Sequence, residues 1–213
     1  YSFIFFLAFL NAEEEIVVTG SYLKNSENDL SPVETFSKDD YLKFNTITLS
    51  EISRYIPSIS GSHFQTNSMD GEDQGMSAIT LRGLDHASTL LMINTKRQTF
   101  AGTPSHEGEG YIDANIIPDI AIKSIEILKE GATSIYGSDA VAGVINVLTQ
   151  KDFEGFLFRS DHQITESHKQ NDNKVGFLYG FKSDKSNLIL GIESLYRSPL
   201  SAKKIDGIAD LSI

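Results

Sequence analysis

A chain of 213 residues, 40% of them hydrophobic, is long enough to bury a core as one large domain or two small ones. Its formal net charge of −11 leaves no basic stripe to neutralise phosphates and argues against a nucleic-acid partner. There is no cysteine, which excludes a disulfide framework and thiolate metal sites and fits an exported bacterial protein.

The first ten residues, YSFIFFLAFL, are nearly all apolar and give way after Ala12 to three glutamates. The run is too short to span a bilayer as a helix. It reads as the apolar part of a signal peptide, with Ala12 at the cleavage point and residues 1–12 as its remnant. Next comes EEEIVVTGS, a short β-branched run from Ile16 through Val17 and Val18 to Thr19, followed by a polar linker that reaches Ser31. Val33 to Phe36 is a candidate strand. Ser37 with Asp40 and Thr48 with Glu51 each give a capping-box pattern, so two short helices are expected, the second ending before Pro57.

Ile79 to Leu81, Thr89 to Ile93, Ser124 to Leu128 and Gly143 to Leu148 are candidate strands by β-branched content and bounding turns. Glycine-rich polar loops, Gly61 to Gly75 and Gly102 to Gly110, lie between them. From Phe156 the pattern changes to alternation. Phe156, Phe158 and Ile164 share one face of the first run, and Val175, Phe177, Tyr179 and Phe181 share one face of the second. Leu188, Leu190, Ile192 and Tyr196 do so in the third. A polar loop, Glu166 to Asn173, and a tight turn, Ser183 to Ser186, join them. Period-two runs joined in this way fit a transmembrane β-barrel and equally fit a soluble antiparallel sheet.

The segment IEILKEGATSIYGSDAVAGVINVLTQKDFEG, Ile125 to Gly155, closely resembles the end of the plug domain in TonB-dependent outer-membrane receptors. ITLRGLDHASTLLMINTKRQ is similar to that family's I-R-G-L and its I-N-G-[RK]-R turn, and EEIVVTGS is similar to the TonB box. Leu49 to Ile59 resembles the early plug helix and its proline ending, so the resemblance spans most of residues 14–155. Thr95 stands where the family's turn has glycine, which disfavours a type I′ turn, and Asp85 replaces a frequent glycine after Arg82-Gly83-Leu84.

The resemblance implies an α+β plug domain, a small mixed sheet with short helices, over residues 32–152. Antiparallel strands of an incomplete transmembrane β-barrel follow it over residues 153–213. Barrels of this kind have about 22 strands around a plugged lumen, so three strands read as the start of one. Residues 13–31 would be the TonB box and a flexible linker, with Ile16, Val17, Val18 and Thr19 adding as a strand to the sheet edge of TonB, the inner-membrane energy transducer. Ligand contact is implied for Leu84, Asp85, His86, Phe100, His106 and Tyr111 at the plug apices. Arg82 and Lys129 would face barrel carboxylates, and Glu126 also needs a lumen partner.

Partners implied are TonB, outer-membrane lipid and a scarce nutrient such as a siderophore, cobalamin or glycan; no cofactor is expected. The location implied is the outer membrane of a Gram-negative bacterium, with the plug N-terminus in the periplasm. A soluble periplasmic binding or signalling module built on the plug is the alternative. Enzyme motifs are lacking: Ser138 has no G-x-S-x-G elbow, and His106-Glu107 does not continue to H-E-x-x-H because Gly110 stands in the second His position. Asp70-Gly71-Glu72-Asp73 lacks the ligand spacing of a calcium loop.

Overall fold

The computed structural model describes residues 2–10, 33–44, 46–59, 61–63, 75–105, 108–129, 132–164, 170–183 and 186–199. The proposed TonB box, 16–19, and His106 lie outside them. Ser37 closes a complete capping box with Asp40, ending β2 (Val33–Ser37) and starting α1 (Lys38–Lys43). The second expected helix is a 3-10 helix, Leu49–Arg54, whose Thr48 makes no side-chain cap. Glu51 instead accepts the Ile47 N–H at 3.2 Å, and a further 3-10 turn begins at Pro57.

Three central strands carry the first sheet: β3 (Thr89–Ile93), β5 (Ile122–Leu128) and β6 (Gly143–Thr149). With β4 (Lys96–Arg97) they give the order β2-β5-β6-β3-β4. β3 and β6 are parallel and the other pairs antiparallel, so the sheet is mixed. β3 is apolar on both faces, β6 nearly so with Asn146 buried, and β5 carries Ser124 and Glu126 on the face opposite Ile125 and Ile127. One face packs on the Leu49–Ile59 segment, with Leu49, Ile52 and Ile59 against Ile125, Ile127, Ile145 and Val147. The other covers a smaller cluster of Leu90, Met92, Leu128 and Val144 with Ala132 and Ala140, next to the short helix α2 (Thr133–Tyr136).

Ile79 to Leu81 is not a strand. Its neighbour Ala78 makes an isolated bridge with His63. Side chains then take the place of a ladder: the Thr80 N–H donates to Ser62 Oγ and the Leu81 N–H to Thr89 Oγ1, both at 2.9 Å. β-branched content signalled burial here, and burial was met without pairing.

The β3–β4 turn forms despite Thr95, with Asn94 at φ 48° and Thr95 at φ 65°. Asn94 exchanges hydrogen bonds with Thr149 at 2.8 and 3.0 Å, and the Thr95 N–H donates to Asn146 Oδ1 at 3.0 Å. A β-branched residue at positive φ costs about 1–2 kcal/mol, which these bonds offset. Thr95→Gly keeps the backbone bond and should raise stability by about 1 kcal/mol, read as a higher denaturant midpoint at unchanged slope. An unchanged or lower midpoint would show that the threonine is not strained.

The second sheet holds β7 (Gly155–Ile164), β8 (Asn171–Ser183) and β9 (Ser186–Arg197), antiparallel in order β7-β8-β9. β8 begins at Asn171, so the expected polar loop is shorter than Glu166 to Asn173. Ser183 pairs with Ser186, as the tight turn requires. β1 (Ser2–Leu10), the run read above as a signal-peptide remnant, lies antiparallel along β9. A free sheet edge presents unpaired N–H and C=O groups, and an extended apolar segment satisfies them. As arranged here, these strands form an open sheet.

Candidate functional site

Two surfaces follow from this topology. The first lies at the sheet end where β3 and β6 start. There Arg82 and Gly83 turn the chain at φ 58° and 64°, and Asp85 caps a 3-10 turn, His86–Ser88. β4 carries the chain back toward that end, and the loop after it closes through the Ala101 N–H donating to the Tyr111 carbonyl at 2.8 Å. The two segments meet: Asp85 and Glu109 share a side-chain hydrogen bond through one proton, and this, more than any other contact, holds Asp85 below the ordinary carboxylate range. The His63 and His86 rings stand edge to face at 4.8 Å. Phe100 is 59% exposed and lies over Gly110, where a Cβ would come within 2.9 Å of the ring. Leu84 is exposed and Tyr111 half-buried. Of the six proposed ligand residues, all but His106 are thus described, and Asp85, His86, Phe100 and Tyr111 sit on two touching loops. Among the described residues no group of three or more metal-ligating side chains converges.

The second surface is where the two sheets meet. Along β8 the residues facing the first sheet are Asp172, Lys174, Gly176, Leu178 and Gly180, all buried. The opposite face carries Phe177, Tyr179 and Phe181, exposed, with Phe158 against Phe177 at 5.0 Å. Register keeps this division across the sheet, pairing Phe177 with Phe158 and Ile192, and Tyr179 with Phe156 and Leu190. Leu178 and Ile189 pack on Ile120 and Ala121 of the 3-10 turn Asp119–Ala121. Glycine on the inner face makes room: a Cβ at Gly180 would fall 1.9 Å from the Phe153 carbonyl oxygen, and one at Gly176 3.3 Å from Ile120 Cδ1.

Charges cross this junction. Lys174, 2% exposed, donates to the Ile47 carbonyl at 2.6 Å and pairs with Asp119, with Glu193 Oε1 at 3.4 Å. Arg197 bridges Glu51 of the first domain and Asp172 of β8, each at 2.9 Å. Burial first, then the Asp119 charge, pushes the nearby Tyr41 phenol up. At the lower rim the Asn187 amide donates to the Lys151 carbonyl, and Lys182 pairs with Asp152 at 3.2 Å.

The residues proposed for plug–barrel contact are engaged inside the first domain. Arg82 donates to the Val141 and Ala142 carbonyls at 2.9–3.2 Å, and Lys129 pairs with Glu34 at 2.5 Å. Glu126 accepts from Asn146, its cross-strand partner, at 3.1 Å. A strand's period of two puts Lys174 and Glu193 opposite Phe177 and Ile192, but no local pattern pointed to Asp119, Glu51 and Arg197 as partners in this junction. The signal for Asp119 was a lone acid inside the apolar run IIPDIAI.

Residues 26–144 match the family model described as TonB-dependent Receptor Plug Domain. The iron-regulated outer membrane virulence protein of Vibrio cholerae is 30% identical over 142 residues, covering 66% of this chain and 20% of that protein. The solved siderophore receptor PirA of Acinetobacter baumannii superposes with a TM-score of 0.54 at 27% identity, over 78% of this chain and 24% of that one. The ferric enterobactin receptor PfeA shares the fold at a TM-score of 0.61 and 20% identity, over 82% of this chain and 26% of that one. The chain spans about a fifth of the length of the curated relatives it matches. No helix among the described residues is long and apolar enough to cross a membrane, which leaves crossing by strands untouched. The family match falls on the segment that folds as the mixed sheet and takes in more than half of the residues, and on that ground the chain belongs to the TonB-dependent receptor plug family.

Proposed function

We propose that this chain is the N-terminal part of an outer-membrane receptor that imports a scarce ligand of the siderophore class. The observation that carries this reading is the two-sided character of β7–β9. Their inner face is seated on the plug through buried charges and glycines, and their outer face is a row of exposed Phe and Tyr suited to lipid. A soluble antiparallel sheet has no use for such a row beside a buried polar face. Relatives whose names specify iron regulation or siderophores support the ligand class. The receptor binds and moves its ligand and does no covalent chemistry on it.

In this reading the plug apices face the cell exterior, and Leu84, Asp85, His86, Phe100, His106 and Tyr111 touch the ligand. TonB takes Ile16, Val17, Val18 and Thr19 as an added strand from the periplasmic side, and Arg82, Glu126 and Lys129 meet further barrel strands. The test is growth of a strain lacking the gene, complemented with the full-length receptor, on ferric siderophores, cobalamin or oligosaccharides as sole source. Replacing Phe100, His106 and Tyr111 together by alanine should weaken binding of the supporting ligand by about tenfold or more. Val17→Pro, which removes a donor from the added strand, should abolish import and leave binding intact. Unchanged affinity in the triple variant would sink the apical assignment.

A further inference from the structure

The polarity of the junction between plug and strands is the reverse of what the family resemblance implies for Arg82 and Lys129. Here the strands supply the cations and the plug supplies the acceptors. Lys174 holds the Ile47 carbonyl and Asp119, and Arg197 holds Glu51, whose second oxygen takes the Ile47 N–H. One turn of the plug, Ile47 to Glu51, is thus gripped at its carbonyl and at its acidic side chain by adjacent strands. Within the hairpin, Asp172 already neutralises Arg197, and Glu193 stands 3.4 Å from Lys174. The hairpin therefore does not need Glu51 and Asp119 for its own charge balance, and their presence ties two units together. All six side chains are largely buried, so a released partner would leave an uncompensated charge in place.

We propose that Lys174 and Arg197 form an ionic anchor that holds the N-terminal part of the plug in its closed seat against the first barrel strands. The proposal rests on the receptor reading above. These two are positioning residues: they touch no ligand, and their role is closure of the pore at rest.

The test uses the full-length receptor in planar bilayers and in cells challenged with vancomycin, which an outer membrane normally excludes. Lys174→Met with Arg197→Met, and separately Glu51→Gln with Asp119→Asn, should make opening events about tenfold or more as frequent, with matching antibiotic sensitivity. A rescue separates loss of the anchor from general misfolding. A Cβ on Gly176 would sit 3.4 Å from Ile120 Cβ, close to disulfide spacing, and the chain has no other cysteine. Adding Ile120→Cys and Gly176→Cys to either anchor variant should restore closure when oxidised and lose it on reduction. Where an anchor variant reaches the membrane only with the disulfide, reduction in the bilayer should open it. Anchor variants that stay closed without the disulfide, or stay open with it formed, overturn the proposal. A wild-type protein absent from the outer membrane would overturn the receptor reading itself, a result distinct from a wild-type barrel that closes without the anchor.

Discussion

Gly143→Ala should destabilise the plug sheet by about 4 kcal/mol. The residue has φ 132°, a region that L side chains rarely adopt, and a Cβ there would lie 2.4 Å from the Leu128 carbonyl oxygen and 2.7 Å from Leu81 Cδ1. The Leu128 oxygen belongs to the neighbouring strand, and Leu81 is fully buried, so neither can yield cheaply. Backbone strain contributes about 1–2 kcal/mol and overpacking a further 1–3 or so. Hydrogen exchange should show it as a loss of protection of about a thousandfold at Ile125–Leu128 and Val144–Val147. Gly137→Ala is the control: its φ is 84° with no atom within 4 Å of the added Cβ, so only the strain remains, about 1–2 kcal/mol. Equal effects at the two glycines would remove the packing argument.

Phe177→Lys should weaken folding into vesicles by about 2–4 kcal/mol, the cost of a lysine on a lipid face near mid-membrane. The side chain is 42% exposed on the aromatic face and touches Phe156 and Phe158. One residue away the period carries the chain to the other face, and the sequence alone would let a lysine there escape the lipid penalty. The structure adds a different one. A Cβ at Gly176 would lie 3.3 Å from Ile120 and 3.5 Å from Glu193, so Gly176→Lys meets an occupied wall. It should cost about 1–3 kcal/mol by overpacking, with the damage in plug seating and not in membrane insertion. Refolding titrations into vesicles, with Phe177→Ala as the packing control, separate the two. A neutral Phe177→Lys would place that face away from lipid.

Where the sequence could be read, a local rule was enough. Ser37 and Asp40 are three apart and cap each other, and Phe156, Phe158, Phe177 and Tyr179 alternate because a strand's period is two. The mixed sheet followed from a motif that is nearly continuous from Ile125 to Gly155. What was lost was long-range. Ile79 to Leu81 has the composition of a strand, but its backbone groups find Ser62 and Thr89, which no pattern in that segment announces. Lys129 was assigned to barrel carboxylates, and its partner Glu34 stands on the adjacent edge strand β2, which is far away in the chain. Arg82 carries a family expectation about barrel carboxylates, yet in this fold its guanidinium pins the turn before β6.

The anchor also gives assembly a direction in time. Ile127 and Ile145 meet across β5 and β6 at short chain separation, whereas Lys174 reaches Ile47 across 127 positions and Arg197 reaches Glu51 across 146. Closing the longer loops costs about 2 kcal/mol more in chain entropy than closing the hairpin. Nothing repays that cost until both ends are shaped. On chain entropy alone the β5–β6 pairing precedes the ionic contacts, which close late. Phe153 sits two residues ahead of the Gly155 that pairs with Gly180, so its seat fills as β7 zips onto β8 and the β7–β8 hairpin is complete before the plug locks onto it.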